Sequence, residues 1–217
     1  MTREDHVLMA HGSGGILSRE LIQDIFVQHL GNPILDGMED AALVQLDDLT
    51  GGPLAMTTDS FVVKPLFFPG GDIGKLAVCG TVNDLAMVGA QPVALSLALI
   101  IEEGLSLAIL DAVMGSVGAA CREAGVDVVT GDTKVVNRGK ADGLFITTSG
   151  IGIVPEGIDI SGRNARVGDR VLLSGSLAEH GVAIMSAREG LTFSTGTKSD
   201  CAPLNTLVRA MLQSSPD

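Results

Sequence analysis

Four aspartates stand in comparable settings: Asp40 before the apolar stretch AALVQL, Asp59 after AMTT, Asp84 within GTVNDLAM and Asp132 after VVTG. Each has small or hydroxyl neighbours: Thr57, Thr58 and Ser60; Gly80, Thr81 and Asn83; Thr130, Gly131 and Thr133. Lys134 follows the last group. Several carboxylates with an amide, hydroxyls and one lysine match what a magnesium–phosphate site requires. Mg²⁺ is a hard octahedral ion that takes oxygen ligands, keeps waters and is usually shared between a few carboxylates and substrate phosphates. A lysine meets a phosphate oxygen as a point charge. Taken singly, turn aspartates and helix caps are the commoner roles for such residues. Asp84 fits those roles less well. It falls inside an apolar helical stretch, where a carboxylate needs a partner. The site reading requires Asp40, Asp59, Asp84 and Asp132 to converge on one cleft.

Whether they can depends on the elements around them. Ile16, Leu17, Leu21, Ile25, Phe26 and Leu30 recur at helical spacing, and Gly31-Asn32-Pro33 ends that helix. AALVQL (Ala41 to Leu46) and PLAMTTDSFVV (Pro53 to Val63) have strand character, with the turn residues DDLTGG between them. PLFFPGGDIG reads as a loop. A helix is predicted from about Gly74 to Val88, a strand from Val93 to Ile101 and a helix from Ser106 to Gly125, a natural C-terminal stop. VDVVTGD reads as a buried strand ending in a loop, and GLFITTSGIGIV (Gly143 to Val154) as a long strand from a sheet centre. This alternation implies a layered α/β domain.

The polar, glycine-rich PEGIDISGRNARVGD marks a boundary. Residues 1–154 form one domain, 155–168 a linker and 169–217 the start of a second, with RVLLSG a fresh strand and SLAEHGVAIMSAREG a helix. The end, LQSSPD, follows no closing element, so the sequence is expected to be a piece of something longer.

Composition narrows the function. The 217 residues are 46% hydrophobic, enough to bury a sizeable core. Fourteen basic against 26 acidic residues give a net charge of -12, which argues against binding to nucleic acid or an acidic membrane. No Trp or Tyr supplies a base-stacking platform. Cys79, Cys121 and Cys201 are distant in sequence and lack a CxxC pattern, so they read as reduced thiols of a cytoplasmic protein. Cys79 and Cys121 lie in helical apolar patterns and read as buried structural thiols. The apolar run from Leu85 to Ile101 is interrupted by Gly89, Gln91 and Pro92, and so reads as helix, turn and strand rather than a membrane span. GGDIGKL has neither the glycine–lysine spacing nor the Ser/Thr of a Walker motif. GSGG at Gly12 to Gly15 opens a helix, an arrangement that suits phosphate. His6, His11 and His29 show no metal spacing.

TTDSFVVKPLFFPGGDIGKLAVCGTVNDLAMVGAQP, VTGDTKVV, HGSGG and SGSLAEHGVAIMSAREGL together resemble the HypE family of hydrogenase maturation factors. That family lies within the wider PurM-like group of ATP enzymes related to aminoimidazole ribonucleotide synthetase and selenophosphate synthetase. The resemblance implies an α+β fold: a PurM-like N-terminal domain with a mixed sheet that pairs with a second copy in a homodimer, then the start of a second PurM-like α/β domain. It implies that ATP and Mg²⁺ bind in a cleft of the first domain. Asp40, Asp59, Asp84 and Asp132 would be metal and phosphate aspartates, with Asn83, Thr133 and Lys134 beside them. Gly12, Ser13, Gly14 and Gly15 would fold over the phosphates.

The implied reaction is ATP-dependent dehydration of a cysteine S-carboxamide to a thiocyanate, which supplies cyanide to the iron of a NiFe hydrogenase. The implied partners are the carbamoyltransferase HypF and the HypC–HypD complex. Family members carry the carbamoyl group on the terminal cysteine of a Pro-Arg-Ile-Cys tail. Cys79, Cys121 and Cys201 do not match that tail. Lys64, in TTDSFVVKP, has no role on this reading. Another ATP enzyme of the same group and a non-catalytic dimerisation or docking module remain as alternatives.

Overall fold

A computed structural model of the protein describes residues 15–21, 23, 42–44, 52–189 and 196–214. In chain order these form α1 (Ile16–Leu21), β1 (Ala42–Val44), β2 (Leu54–Phe61), β3 (Phe67–Phe68), β4 (Gly71–Asp72) and α2 (Ile73–Met87). There follow β5 (Gln91–Glu102), α3 (Leu107–Ala124), β6 (Asp127–Val136), β7 (Leu144–Ile153), a 3-10 turn at Gly162–Asn164, α4 (Glu179–Glu189) and α5 (Asn205–Ser214).

The main sheet has the order β1-β2-β7-β5-β6. Its β5–β6 pair is parallel and the other neighbours are antiparallel. A parallel pair needs a crossover, and α3 supplies it. Strand β7 lies between β2 and β5 and alternates strictly. Leu144, Ile146, Thr148 and Gly150 are buried beneath the helices, while Phe145, Thr147, Ser149 and Ile151 are half-buried on the other face. One side of the sheet therefore carries α2 and α3, and among the described residues the other side is open.

Helix α2 is buried on most of its circumference, as expected of a helix held between a sheet and a second helix. Asp72 starts it: its Oδ1 accepts from the N–H groups of Gly74 at 2.7 Å and Lys75 at 3.2 Å. Two glycines let it lie close to the sheet. A Cβ on Gly150 would stand 2.8 Å from Thr81 Cγ2 and 3.0 Å from methyl carbons of Leu85 and Leu95. A Cβ on Gly80 would stand 2.8 Å from the Phe61 ring. Between these points the fully buried hydroxyls of Thr81 and Thr148 form a short hydrogen bond, and Thr148 Oγ1 donates to the Ala77 carbonyl at 3.2 Å. No polar group is stranded in that dry contact.

Several expectations change. VDVVTGD was expected to be a buried strand ending before Asp132. Instead β6 runs on to Val136 and is exposed from Asp127 to Val135. The buried clusters draw on β2, β5 and β7 and take in no residue of β6, so among the described residues this edge is uncovered. RVLLSG forms no strand: Val171, Leu172 and Leu173 are exposed, and no described strand pairs with them. The PLFFPGGDIG loop contains the two-residue hairpin strands β3 and β4. Helix α5 was not expected. The apolar stretch from Leu85 is interrupted as predicted, with α2 ending at Met87 and β5 starting at Gln91. Among the described residues no helix is long and apolar enough to cross a membrane.

Gly150→Ala is expected to lower the unfolding free energy by about 1–3 kcal/mol through overpacking. Gly115 lies in the exposed middle of α3, with nothing within 4 Å of a built Cβ. Gly115→Ala should raise stability by about 0.5–1 kcal/mol. Urea unfolding of the two variants should therefore give shifts of opposite sign.

Candidate functional site

Thr57, Asp59 and Phe61 point from β2 towards the helices, because residues two apart on a strand share a face. Register confirms the side. Asp59 pairs with Thr148, which is fully buried against α2. On the facing side of α2, Gly80 and Asp84 are one turn apart. Thr57 is 7% exposed and donates its hydroxyl to Asp84 Oδ2 at 3.0 Å. Asp59 lies over Gly80: a Cβ there would stand 3.5 Å from Asp59 Oδ2. Asp59 Oδ1 accepts from the Ser60 N–H at 2.7 Å. Both aspartates are half-buried. Asp59 thus lies over a helix position that is four residues, or about 6 Å along the axis, from Asp84.

This pair has the oxygen chemistry that magnesium prefers, and one or two carboxylates completed by phosphate oxygens are its usual protein ligands. The residues present fit the ion. Sequence reasoning required a partner for Asp84, and Thr57 is one.

Asp132 stands elsewhere. It pairs with Ala98, which pairs with Thr147, which pairs with Ser60. That row faces the open side of the sheet, opposite to Asp59. It is also three strands away, or about 14 Å. Asp132 forms an exposed ion pair with Lys134 at 2.9 Å and accepts from the Thr133 N–H at 2.9 Å. Lys134, followed by that N–H, holds the Asp132 carboxyl below its ordinary value. Thr133 pairs with Leu99 and so faces the helix side. A single chain therefore brings Asp59 and Asp84 together and leaves Asp132, Thr133 and Lys134 apart. The difference arises because β6 continues as an edge strand through Asp132 instead of ending before it. Asp40, Gly12, Ser13 and Gly14 lie outside the described residues. Gly15 is exposed and accepts the Arg19 N–H at 3.1 Å at the start of α1.

Asn83 faces a segment that sequence reasoning did not connect to it. Its Nδ2 donates to the Ala202 carbonyl at 3.1 Å, and its Oδ1 accepts from the Leu204 N–H at 2.7 Å. Residues 199–204 thus form a strap on α2. The Ser199 N–H donates to the Pro69 carbonyl at 2.7 Å, and Ser199 Oγ lies 3.0 Å from His180 Nδ1. Cys79 lies one turn before Asn83 on the same helix, beside Cys201, the neighbour of the Ala202 that Asn83 holds. The neighbouring Cys201 thiol first, and burial second, push the Cys79 thiol above its ordinary value, while the Cys79 thiol lowers that of Cys201. No local motif signals this pairing. Lys64 gains a structural setting: Nζ meets Asp142 at 3.0 Å and its carbonyl accepts from Arg188 of α4.

Comparison with known proteins agrees with the sequence resemblance. Residues 38–154 match the AIR synthase related protein, N-terminal domain, and residues 166–216 match the corresponding C-terminal domain. The carbamoyl dehydratase HypE of Bradyrhizobium diazoefficiens is 54% identical over 211 residues, covering 97% of this chain and 60% of that protein. A solved HypE–HypF complex contains a chain 52% identical with TM-score 0.83, covering 90% of this chain and 62% of that one. A HypE structure in complex with ATP is 54% identical with TM-score 0.73, covering 95% and 61%. The chain thus spans about 60% of the length of the curated relatives it matches. With its N-terminal domain matched over residues 38–154 and its C-terminal domain over 166–216, the chain belongs to the AIR synthase related protein family and is similar within it to the HypE proteins.

Proposed function

We propose that this chain is the ATP-binding part of a HypE-type carbamoyl dehydratase acting in NiFe-hydrogenase maturation. The observation that carries the proposal is the pairing of Asp84, held by Thr57, with Asp59 over the bare backbone of Gly80. The relative solved with ATP and those named carbamoyl dehydratase support the assignment. The overall reaction converts a cysteine S-carboxamide and ATP into a thiocyanate, ADP and phosphate. The carboxamide oxygen takes the γ-phosphoryl group as ADP leaves. The nitrogen then gives up its two protons as the carbon–oxygen bond to phosphate breaks, leaving the nitrile.

In this proposal Asp59 and Asp84 would hold Mg²⁺, which would supply neutralisation of triphosphate charge. Thr57 fixes the orientation of Asp84, so that one carboxylate oxygen is committed to the protein. Gly80 keeps the floor open for Asp59. Gly12 to Gly15 would cover the phosphates, as the family resemblance implies. Asn83 acts at one remove, by seating the strap on the helix that carries Asp84. Asp132, Thr133 and Lys134 join a nucleotide site only through a second copy, since their own chain keeps them about 14 Å away. The proposed homodimer uses the open sheet face, where Met56 and Ile100 are 48% and 42% exposed among the bonded hydroxyls of Thr58, Ser60, Thr147 and Ser149. Both apolar side chains lie on the one face proposed to meet the second copy. HypF is a proposed partner on the strength of the solved HypE–HypF complex of a relative, and HypC–HypD would receive the product.

Three outcomes test this reading. Mg-ATP at about 100 times its dissociation constant should stabilise the protein by roughly 2.7 kcal/mol. Asp84→Asn should remove most of that gain and leave nucleotide-free stability near wild type; an undiminished thermal shift would remove Asp84 from the site. Ile100→Asp should turn dimer into monomer in sedimentation, whereas Leu107→Asp, on the helix side, should not. The full-length protein, given a carbamoyltransferase, carbamoyl phosphate and Mg-ATP, should show by mass spectrometry a carbamoyl and then a cyano adduct on its C-terminal cysteine. A protein modified at no cysteine would overturn the dehydratase reading.

A further inference from the structure

The strap at residues 199–204 and helix α2 belong to the two different family domains, and two thiols meet where they touch. Cys79 is 1% exposed and Cys201 is half-buried, and Cys79 stands one turn before the Asn83 that holds Ala202, the neighbour of Cys201. The strap is held on both sides of this point. Asn83 fixes Ala202 and Leu204, while Pro69 and His180 fix Ser199. Ser199 Oγ also accepts the Cys201 N–H at 3.1 Å, which sets the turn that presents the thiol. The pair is thus pre-positioned by backbone anchors that do not involve sulfur. Cys121 is buried on α3 within a separate apolar cluster.

We propose that Cys79 and Cys201 are a redox-active dithiol, an oxidation site whose disulfide ties the strap of the C-terminal domain to helix α2. This does not rest on the nucleotide reading. The chemistry is thiol–disulfide exchange with a low-molecular-weight disulfide such as oxidised glutathione. Cys201 is the more exposed thiol, and Lys75 lies near enough to favour its thiolate. The Cys201 thiolate attacks one glutathione sulfur, forming a mixed disulfide and expelling a glutathione thiolate. That thiolate takes up the proton of Cys79. The Cys79 sulfur then attacks Cys201 Sγ, and the second glutathione leaves as thiolate. Two protein thiols are oxidised and one glutathione disulfide is reduced to two glutathiones. The anchored strap keeps the attacking sulfur beside its target, so the second step outruns loss of the mixed disulfide.

Consequences for the fold follow from where the bond lies. Reduced, the strap is held by neutral hydrogen bonds that can open. Oxidised, it is fastened to the helix that carries Asp84, and its local opening is suppressed. Reduction by a dithiol reverses the change.

The test uses the full-length protein with Cys121→Ala, because a tryptic peptide running from Leu76 to Arg122 would otherwise carry both helical cysteines. The folded protein is equilibrated across a series of reduced and oxidised glutathione, alkylated and digested. The expected result is a linked pair of peptides containing Cys79 and Cys201, its fraction rising with the oxidised component and abolished by dithiothreitol. Cys201→Ser should leave Cys79 unlinked and unmodified, since the buried thiol cannot start the exchange. Full alkylation of both cysteines after unfolding at every redox ratio would overturn the proposal. So would a glutathione adduct on Cys201 that persists without resolving onto Cys79.

Discussion

Helix α2 approaches the sheet more closely than two side-chain-bearing surfaces normally permit, and the rest of the site hangs on that approach. Gly80 and Gly150 remove the atoms that would hold helix and strand apart. Interiors packed near crystal density do not absorb an extra methyl without movement. The buried Thr81–Thr148 pair fills the gap with a hydrogen bond rather than a void. Only at this separation can Thr57 on β2 reach Asp84 on α2, and only here can Asp59 lie over a helix backbone. Widening the contact would lose the carboxylate pair before it lost the fold.

The same helix also faces the strap. Cys79 and Asn83 meet residues 201–204 on one side, while Gly80 and Asp84 meet β2 on another. One rigid element thereby couples the sheet of the N-terminal domain to the beginning of the C-terminal one. Its rigidity has a clear origin: an Asp72 cap at the start and apolar burial on most of its circumference. A displacement of the strap cannot be absorbed by a loop, because it is received by a capped helix.

Legibility in the sequence followed the range of the interaction involved. Helices α2 and α3 and strand β7 were readable from local periodicity, and Gly125 ends α3 in the left-handed conformation expected of a C-cap, with φ 71°. Asp84 was readable because an interior carboxylate in an apolar helix demands a partner. Asp132 was not, because the face a strand residue occupies depends on its register with a neighbouring strand. The composition of VDVVTGD suits a buried strand, and nothing local reveals that none of the described residues covers it. The apolar VLL after the linker promised a strand, but a strand needs a partner to pair with. Helix α5 has Leu207, Val208, Met211 and Leu212 at helical spacing, but the polar residues around them hid it. The Cys79–Cys201 contact had no sequence signal at all, since the two residues meet only after both domains have docked.

The β6 edge, uncovered among the described residues, carries a charge arrangement that reads alignment. An edge strand offers unpaired N–H and C=O groups to any strand that comes beside it, and proteins commonly guard such edges with charge. Here the guard has both signs, Asp132 and Lys134, on one face of the strand. An antiparallel copy centred on Thr133 would set each Asp132 opposite a Lys134. Sliding it by two residues either way would set aspartate against aspartate or lysine against lysine, and like charges directly opposite one another destabilise a pair. The edge is therefore not simply closed to partners. It admits one alignment and penalises its nearest neighbours, so disordered stacking into fibres is opposed while a single symmetric pairing is not.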